Sequence, residues 1–302
     1  WGRRLIGSRA SDRQRPQCSQ SNQAPDRKED PQIGLCSSGQ AAGFRARVRV
    51  VTISVVIPTL DEALRIADAV ECALDFDVDR GPSGARDAVG SRPNEVVVVD
   101  GGSRDATVRI AQESGARIHL LSEEAGCCGI SGRPAAGGRA HQLRIGAEKT
   151  EGEVLLFLHA DTRLEPGWSE AVERALSDPG CAGGAFRFRF AERGAWERWI
   201  EFWVEVRVTL LGLPYGDQAL FVRRSVLEKM GGVAIVPIME DLDLVRGIKR
   251  AGRLARLPEY ATTSSRRYRD RGALRTIFWH QVALLGWFLD WDRERLAARM
   301  GR

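Results

Sequence analysis

The 302-residue chain carries 45 Lys and Arg against 40 Asp and Glu, a formal net charge of +5. Ten basic and four acidic side chains fall within residues 1–50, so the remainder is balanced at 35 basic to 36 acidic. This excludes a strongly cationic nucleic-acid-binding body, and 43% hydrophobic content over this length excludes a disordered or fibrous chain.

Residues 1–48 read as a basic, disordered arm. They are rich in Arg, Ser and Gln, lack the apolar h-region of a secretory signal, and suit an organellar transit peptide less well because of their acids. Six cysteines without CxxC or CxH spacing argue against both a zinc site and a disulfide scaffold, and make a reducing, cytoplasmic setting the expectation. No run of about eighteen apolar residues is present to cross a membrane.

In chain order, VVTISVVIP at 50–58 predicts a fully buried strand, and Leu64, Ile66, Ala67, Val70 and Leu74 predict the apolar stripe of a helix from Glu62 to Leu74. A polar, mobile loop (75–94) leads to a second buried strand, Glu95–Asp100. A helix over Arg104–Ser114, a short strand over Arg117–Leu121, a glycine-rich loop (125–138), a helix over Arg139–Lys149 and a third buried strand, Val154–Leu158, follow. Repeated strand–helix–strand units predict an α/β fold: a mainly parallel sheet with helices on both faces, forming one domain over 49–270.

Ligands of such sheets bind at the carboxyl ends of the strands. The three buried strands end in Pro58-Thr59-Leu60-Asp61-Glu62, Asp100-Gly101-Gly102-Ser103 and His159-Ala160-Asp161-Thr162. Each Asp alone also suits a helix N-cap or a turn. Together they describe one crevice whose gathered carboxylates need a cation or a donor-rich ligand to offset their repulsion. Neither GxGxxG nor GxxxxGK[ST] is present, so a nucleotide would be held through base and ribose by carboxylates, with a divalent cation on its phosphates.

The ordered segments SVVIPTLDEA, VVVVDGGSRDAT, GRAHQLRIGA, LLFLHADTRLEP and PIMEDLDLVRGIKRAG resemble the family 2 glycosyltransferases of the GT-A fold, over about residues 52–268. The HADT and GDQALFVRR segments are similar to those of a bacterial subgroup sometimes linked to arsenosugar formation. The resemblance implies that Pro58, Thr59, Leu60 and Glu62 line a uracil or guanine pocket. It puts Asp100 on the base or ribose with Gly101 and Ser103 beside it, and Arg139 and Gln142 on a donor-facing helix. Asp161 would be the remaining acid of a DxD-type motif that holds Mn2+ or Mg2+, with His159, in the motif's first position, as a further candidate ligand. Asp241 would be the base of an inverting transfer from a UDP- or GDP-sugar, positioned by Glu240. Asp217 and Gln218 would face the acceptor, and Arg266 and Arg267 the departing diphosphate. The acceptor hydroxyl could belong to a small molecule, a lipid-linked compound or a glycan. Nucleic acid is not an expected partner.

An inverting transferase needs one carboxylate to take the acceptor's proton and a cation to neutralise the leaving group, although acids at 240–243 also suit the first turn of a helix by its dipole. Trp196, Trp199 and Trp203, at helical spacing, predict an amphipathic helix packing on the sheet. An apolar C-terminal helix within 271–302, flanked by Trp and Arg, either packs likewise or makes peripheral membrane contact. Two other readings are a degenerate, non-catalytic GT-A binding module and a sugar nucleotidyltransferase, the latter weakened because TLDEA is no triphosphate loop.

Overall fold

The computed structural model describes residues 51–74, 95–121 and 138–300. The expectations for the arm (1–48), the loop 75–94 and nearly all of the glycine-rich loop 125–138 fall outside them.

The β-branched runs form β1 (Ile53–Thr59), β2 (Glu95–Asp100), β3 (Arg117–Leu120) and β4 (Val154–Phe157), which pair in parallel in the order β3-β2-β1-β4. The helices α1 (Ile66–Ala73), α2 (Thr107–Glu113) and α3 (Gly138–Glu148) connect them. Strand β1 runs one residue past Pro58, because the carbonyl of Thr59 still accepts from Gly101 N. Helix α1 starts later than the apolar spacing predicts. Asp61 adopts a left-handed backbone (φ 54°) and residues 62–65 form a turn, which leaves Leu64 outside the stripe and 87% exposed.

Beyond β4 the chain forms β5 (Thr162–Leu164), α4 (Trp168–Leu176), β6 (Cys181–Phe190), α5 (Ala195–Leu211), a 3-10 turn (Gly216–Gln218), β7 (Leu220–Arg223) and α6 (Arg224–Lys229). It then continues through α7 (Glu240–Ala251), β8 (Arg253–Thr263), α8 (Arg266–Arg271), α9 (Ala273–Phe288) and α10 (Arg293–Arg299). These strands extend the sheet to eight, in the order β3-β2-β1-β4-β7-β6-β8-β5, with β7 antiparallel to both neighbours and β6 parallel to β8.

Period-two alternation divides the strand side chains between two cores. Val55, Ile57, Val98 and Leu156 pack with Ile66 and Trp168 on one face. Val56, Val97, Leu155 and Phe157 pack with Leu143, Leu242 and Ile248 on the other. Trp168 is completely buried and its indole N–H donates to Cys72 O at 2.9 Å, so the ring fills the first core without an unpaired donor. Loss of such a ring costs about 3–5 kcal/mol. On the other face α3 sits so close to β1 that a side chain at Gly146 would run into Val56.

Two expectations need correction. Helix α5 does pack on the sheet, but through Ile200, Val204 and Val208 against Phe188 and Phe190. Trp196, Trp199 and Trp203 lie on its outer side, because their stripe falls more than a quarter-turn from the buried one. The C-terminal segment is not one helix: α9 ends before Asp290, whose left-handed backbone (φ 51°) turns the chain into α10. Among the described residues no helix is long and apolar enough to cross a membrane.

Candidate active site

The carboxyl ends of β1 and β2 are tied together by their own polar groups. Asp100, 2% exposed, accepts from the backbone N–H of Gly102 (2.9 Å) and Ser103 (2.8 Å) and from the Ser103 hydroxyl, so its carboxylate shapes the DGGS turn. Ser103 Oγ in turn accepts from Asp61 N at 2.9 Å, and Asp61 accepts from Arg104 N at 2.8 Å. Glu62 N donates to Thr107 Oγ1 (2.8 Å). Hydrogen bonds from Thr107 hold the Asp105 carboxyl below its ordinary range. Pro58 and Thr59 are buried at the end of β1, with Thr59 Oγ1 left without a hydrogen bond, while Leu60 is exposed.

Gln142 on α3 braces this frame. Its amide nitrogen donates to Thr59 O (2.7 Å) and Val99 O (2.9 Å), across the ends of both strands. Gly101 belongs to the same joint, since a Cβ there would stand 3.0 Å from that nitrogen. The amide is therefore committed to carbonyls, where the sequence resemblance implied a donor-facing role.

Acids from the second half of the chain gather around Arg139 and Gly216. Met239, in a left-handed backbone (φ 65°), turns the chain into α7, so that Glu240 and Asp241 stand in its first turn. Asp241 Oδ2 accepts from Gly216 N (2.9 Å) and Oδ1 from Leu242 N (2.9 Å). Arg139, from the start of α3, pairs with buried Glu240 at 2.7 Å and reaches Asp241 at 3.9 Å. Burial opposes the charge on Arg139, but Glu240 and then Asp241 more than offset this and hold the guanidinium above its ordinary range. A Cβ on Gly216 would lie 2.6 Å from the Arg139 guanidinium, 2.9 Å from His159 Nε2 and 3.5 Å from Asp241 Oδ2. Residues 139, 159, 216 and 241 therefore converge on one point from four segments of chain.

Asp217 sits one residue further on, with Oδ1 buried and without a hydrogen bond. Burial pushes its carboxyl up from 3.8 to about 6; Arg207 opposes the rise, Asp241 adds to it, and Arg139 and Arg267 oppose it. Arg207 lies over the Tyr215 ring at 3.4 Å, and burial pushes that phenol up to about 12. Burial raises Tyr268 as well; its ring stands edge-on to Phe190 and His280. Gln218 is 2% exposed and both ends of its amide are engaged, Nε2 with Phe186 O (3.0 Å) and Oε1 with Tyr215 N (3.3 Å). It anchors the turn and does not face the cleft as the resemblance implied. The residue after it, Ala219, is fully buried in a left-handed backbone (φ 47°). Such conformations cost about 1–3 kcal/mol each and gather where a site over-determines them.

Arg266 at the start of α8 pairs with Glu62 at 2.7 Å, which joins the β1 loop to the C-terminal elements. Arg267 is exposed, near enough to Asp217 to oppose its rise. Sequence reading missed Arg207 and Tyr268, which carry no spacing signal, and took from the segment holding Tyr215 and Gly216 only Asp217 and Gln218; the fold of α5, the 3-10 turn and α8 gathers all four.

Among the described residues no three His, Cys, Asp or Glu side chains gather closely enough to cage a metal. Among the described residues Asp161, after β4, makes no ion pair, and its Oδ1 receives a long contact from Thr263 Oγ1 (3.5 Å). One open carboxylate is a fit partial shell for Mg2+ or Mn2+, which bind through one or two carboxylates and complete their octahedron with phosphate and water. His159 turns Nε2 toward Gly216 and the Arg139 guanidinium, a poorer place for a cation than Asp161.

The model of the family described as "Glycosyl transferase family 2" matches residues 54–234, more than half of the chain. A search of curated proteins returns no match. Among solved structures, glucosyl-3-phosphoglycerate synthase from Mycobacterium tuberculosis, in complex with Mn2+, UDP and glucosyl-3-phosphoglycerate, is 20% identical with a TM-score of 0.50, covering 77% of this chain and 79% of that one. TarS 1–349 of S. aureus is 14% identical with a TM-score of 0.50, covering 76% of this chain. A mycobacterial protein is 24% identical with a TM-score of 0.46, covering 71%. The chain spans 65% of the length of each of the last two.

Proposed function

The chain belongs to glycosyltransferase family 2 and has the GT-A fold, and from this premise we propose that it transfers a sugar from a nucleotide-diphosphate donor to an acceptor hydroxyl, with inversion. The observation that carries the reading is the meeting of Asp241, Gly216 and Arg139. The β1 and β2 loops, with Thr59, Glu62, Asp100 and Ser103, form the nucleotide side. The M. tuberculosis enzyme of the same fold, solved with UDP and Mn2+, supports a uridine donor and a divalent cation.

Asp241 takes the proton of the acceptor hydroxyl as its oxygen bonds to the anomeric carbon. The bond from that carbon to the diphosphate breaks on the opposite face, and the nucleoside diphosphate departs with the electron pair. The proton ends on Asp241. Gly216 N and Leu242 N fix both oxygens of that carboxylate, and Arg139 holds Glu240 and Asp241 in register. Arg266 and Arg267 grip the departing diphosphate, a task suited to planar guanidinium donors; Arg266 exchanges Glu62 for it. Asp161 would hold Mn2+ or Mg2+, which when bound neutralises charge on the leaving group. The acceptor is a hydroxyl of a small molecule, a lipid-linked compound or a glycan.

The test is release of nucleoside diphosphate from a panel of UDP- and GDP-sugars with Mn2+ or Mg2+. Release from at least one donor, lost in Asp161→Ala and in Asp241→Asn, supports the reading. Undiminished release in both variants overturns it.

A further inference from the structure

We propose that the outer face of α5, with the first turns of α9, docks on an anionic lipid surface. Trp196, Trp199, Trp203 and Phe202 are 39%, 45%, 51% and 59% exposed. Their rings form a ladder: Trp196 stacks on Trp199 at 5.0 Å, Trp199 meets Trp203 edge-on at 6.1 Å, and Phe202 meets Trp203 at 5.6 Å. The opposite side of α5 is already buried against β6 through Ile200, Val204 and Val208. The fold therefore explains one apolar face of this helix and leaves the other in water, and a contiguous exposed patch of that kind marks an interaction surface. On α9, Leu274 and Phe278 are 73% and 60% exposed, while Ile277 between them packs on the same cluster as α5 and joins the two helices.

Charge identifies the occupant. The three acids of α5 are all engaged within the protein: Glu197 with Ser265 Oγ (3.4 Å), Glu201 with Phe190 N (2.7 Å) and Glu205 with Arg256 (2.6 Å). Arg193 and Arg198 at the start of α5, and Arg275 at the start of α9, are exposed and form no ion pair among the described residues. An aromatic face rimmed by unpaired arginines matches an interface of acyl chains beneath anionic headgroups. A second copy of the chain is disfavoured, because a two-fold contact would bring these arginines together with no free acid of α5 to meet them. The exposed apolar face of α9 continues past Phe278 through Leu285, Phe288 and Leu289 at the helix end. Arg207, four residues past Trp203, lies over Tyr215 beside Asp217, so docking by α5 sets the cleft next to the lipid surface.

Co-sedimentation of the full chain with vesicles, without donor or acceptor, tests this apart from the transferase reading. Binding is expected to vesicles of phosphatidylcholine mixed with phosphatidylglycerol and to be much weaker with phosphatidylcholine alone. Trp199→Ser combined with Trp203→Ser should weaken binding at least tenfold, and Arg198→Ala and Arg275→Ala about fivefold each. Both tryptophans are exposed, so an unchanged circular dichroism spectrum is the control for folding. No binding to the mixed vesicles overturns the proposal. So does binding that survives the double tryptophan variant, which would assign it to the basic residues of 1–48, and so does self-association through this face without lipid binding.

Discussion

The two sides of the cleft handle charge in opposite ways. At the ends of β1 and β2, the carboxylates of Asp100, Asp61 and Asp105 accept short hydrogen bonds from neighbouring loop N–H and hydroxyl groups. Across from them, Asp217 keeps a buried oxygen unpaired, and burial raises its carboxyl and two tyrosines. A satisfied frame is suited to binding a ligand of fixed shape. An under-compensated cluster is suited to chemistry, because perturbed titrating groups collect where proton transfer is required. On the proposed reading the parallel half binds the nucleotide, and the half built from α5, the 3-10 turn and α7 carries the reaction.

The variant that strikes hardest at this division is Asp241→Asn. Loss of a general base lowers transfer by about a thousandfold, measured as nucleoside diphosphate release, with the fold intact. Next is Gly216→Ala, whose new methyl group must displace Arg139 or His159. A shift of this kind at a reacting centre costs about a hundredfold in turnover, and a crystal structure of the variant should show the guanidinium moved.

Arg139→Met removes the partner of Glu240, which is 7% exposed. A fully buried pair broken on one side costs about 3–5 kcal/mol; part of this guanidinium is open to solvent, so about 2 kcal/mol is expected from urea unfolding. Asp217 makes stability depend on pH. Its folded-state pKa of about 6 lies above the ordinary 3.8, so between these values the folded chain holds a proton that the unfolded chain has released. Stability therefore falls as pH rises from about 4 to 6, by on the order of 2 kcal/mol, and stays lower above that window. Asp217→Asn should flatten the curve of urea midpoint against pH and stabilise the protein at neutral pH. The smallest effect is Ser103→Ala, which loses the contacts to Asp100 and Asp61 N and costs about 1 kcal/mol, a few degrees in Tm.

The parallel half was legible because its signals are local. Continuous Val and Ile runs suit strands buried on both faces, and polar residues after each fall at the carboxyl edge of the sheet, where such folds bind ligands. The Asp100 turn was equally local. What escaped was whatever depends on long-range packing. Nothing in the spacing of Arg207, Tyr215 and Tyr268 announces that an α5 residue lies over a loop tyrosine. The spacing of the α5 tryptophans predicts a helix face packing on the sheet, yet Ile200, Val204 and Val208 repeat with a similar period and hold that face. Periodicity finds an apolar stripe but does not say which of two stripes the sheet will cover. Gln142 and Gln218 show the same limit for polar residues, since their place in ordered motifs hid that their amides close strand ends and turns.

The division of labour is tested most directly by calorimetric titration of UDP, in the presence of Mn2+, into Asp241→Asn and into the unaltered protein. The account predicts affinities within about twofold of each other, while transfer by the variant is lost. Transfer that persists in Asp241→Asn, or UDP affinity that falls together with activity, would contradict it.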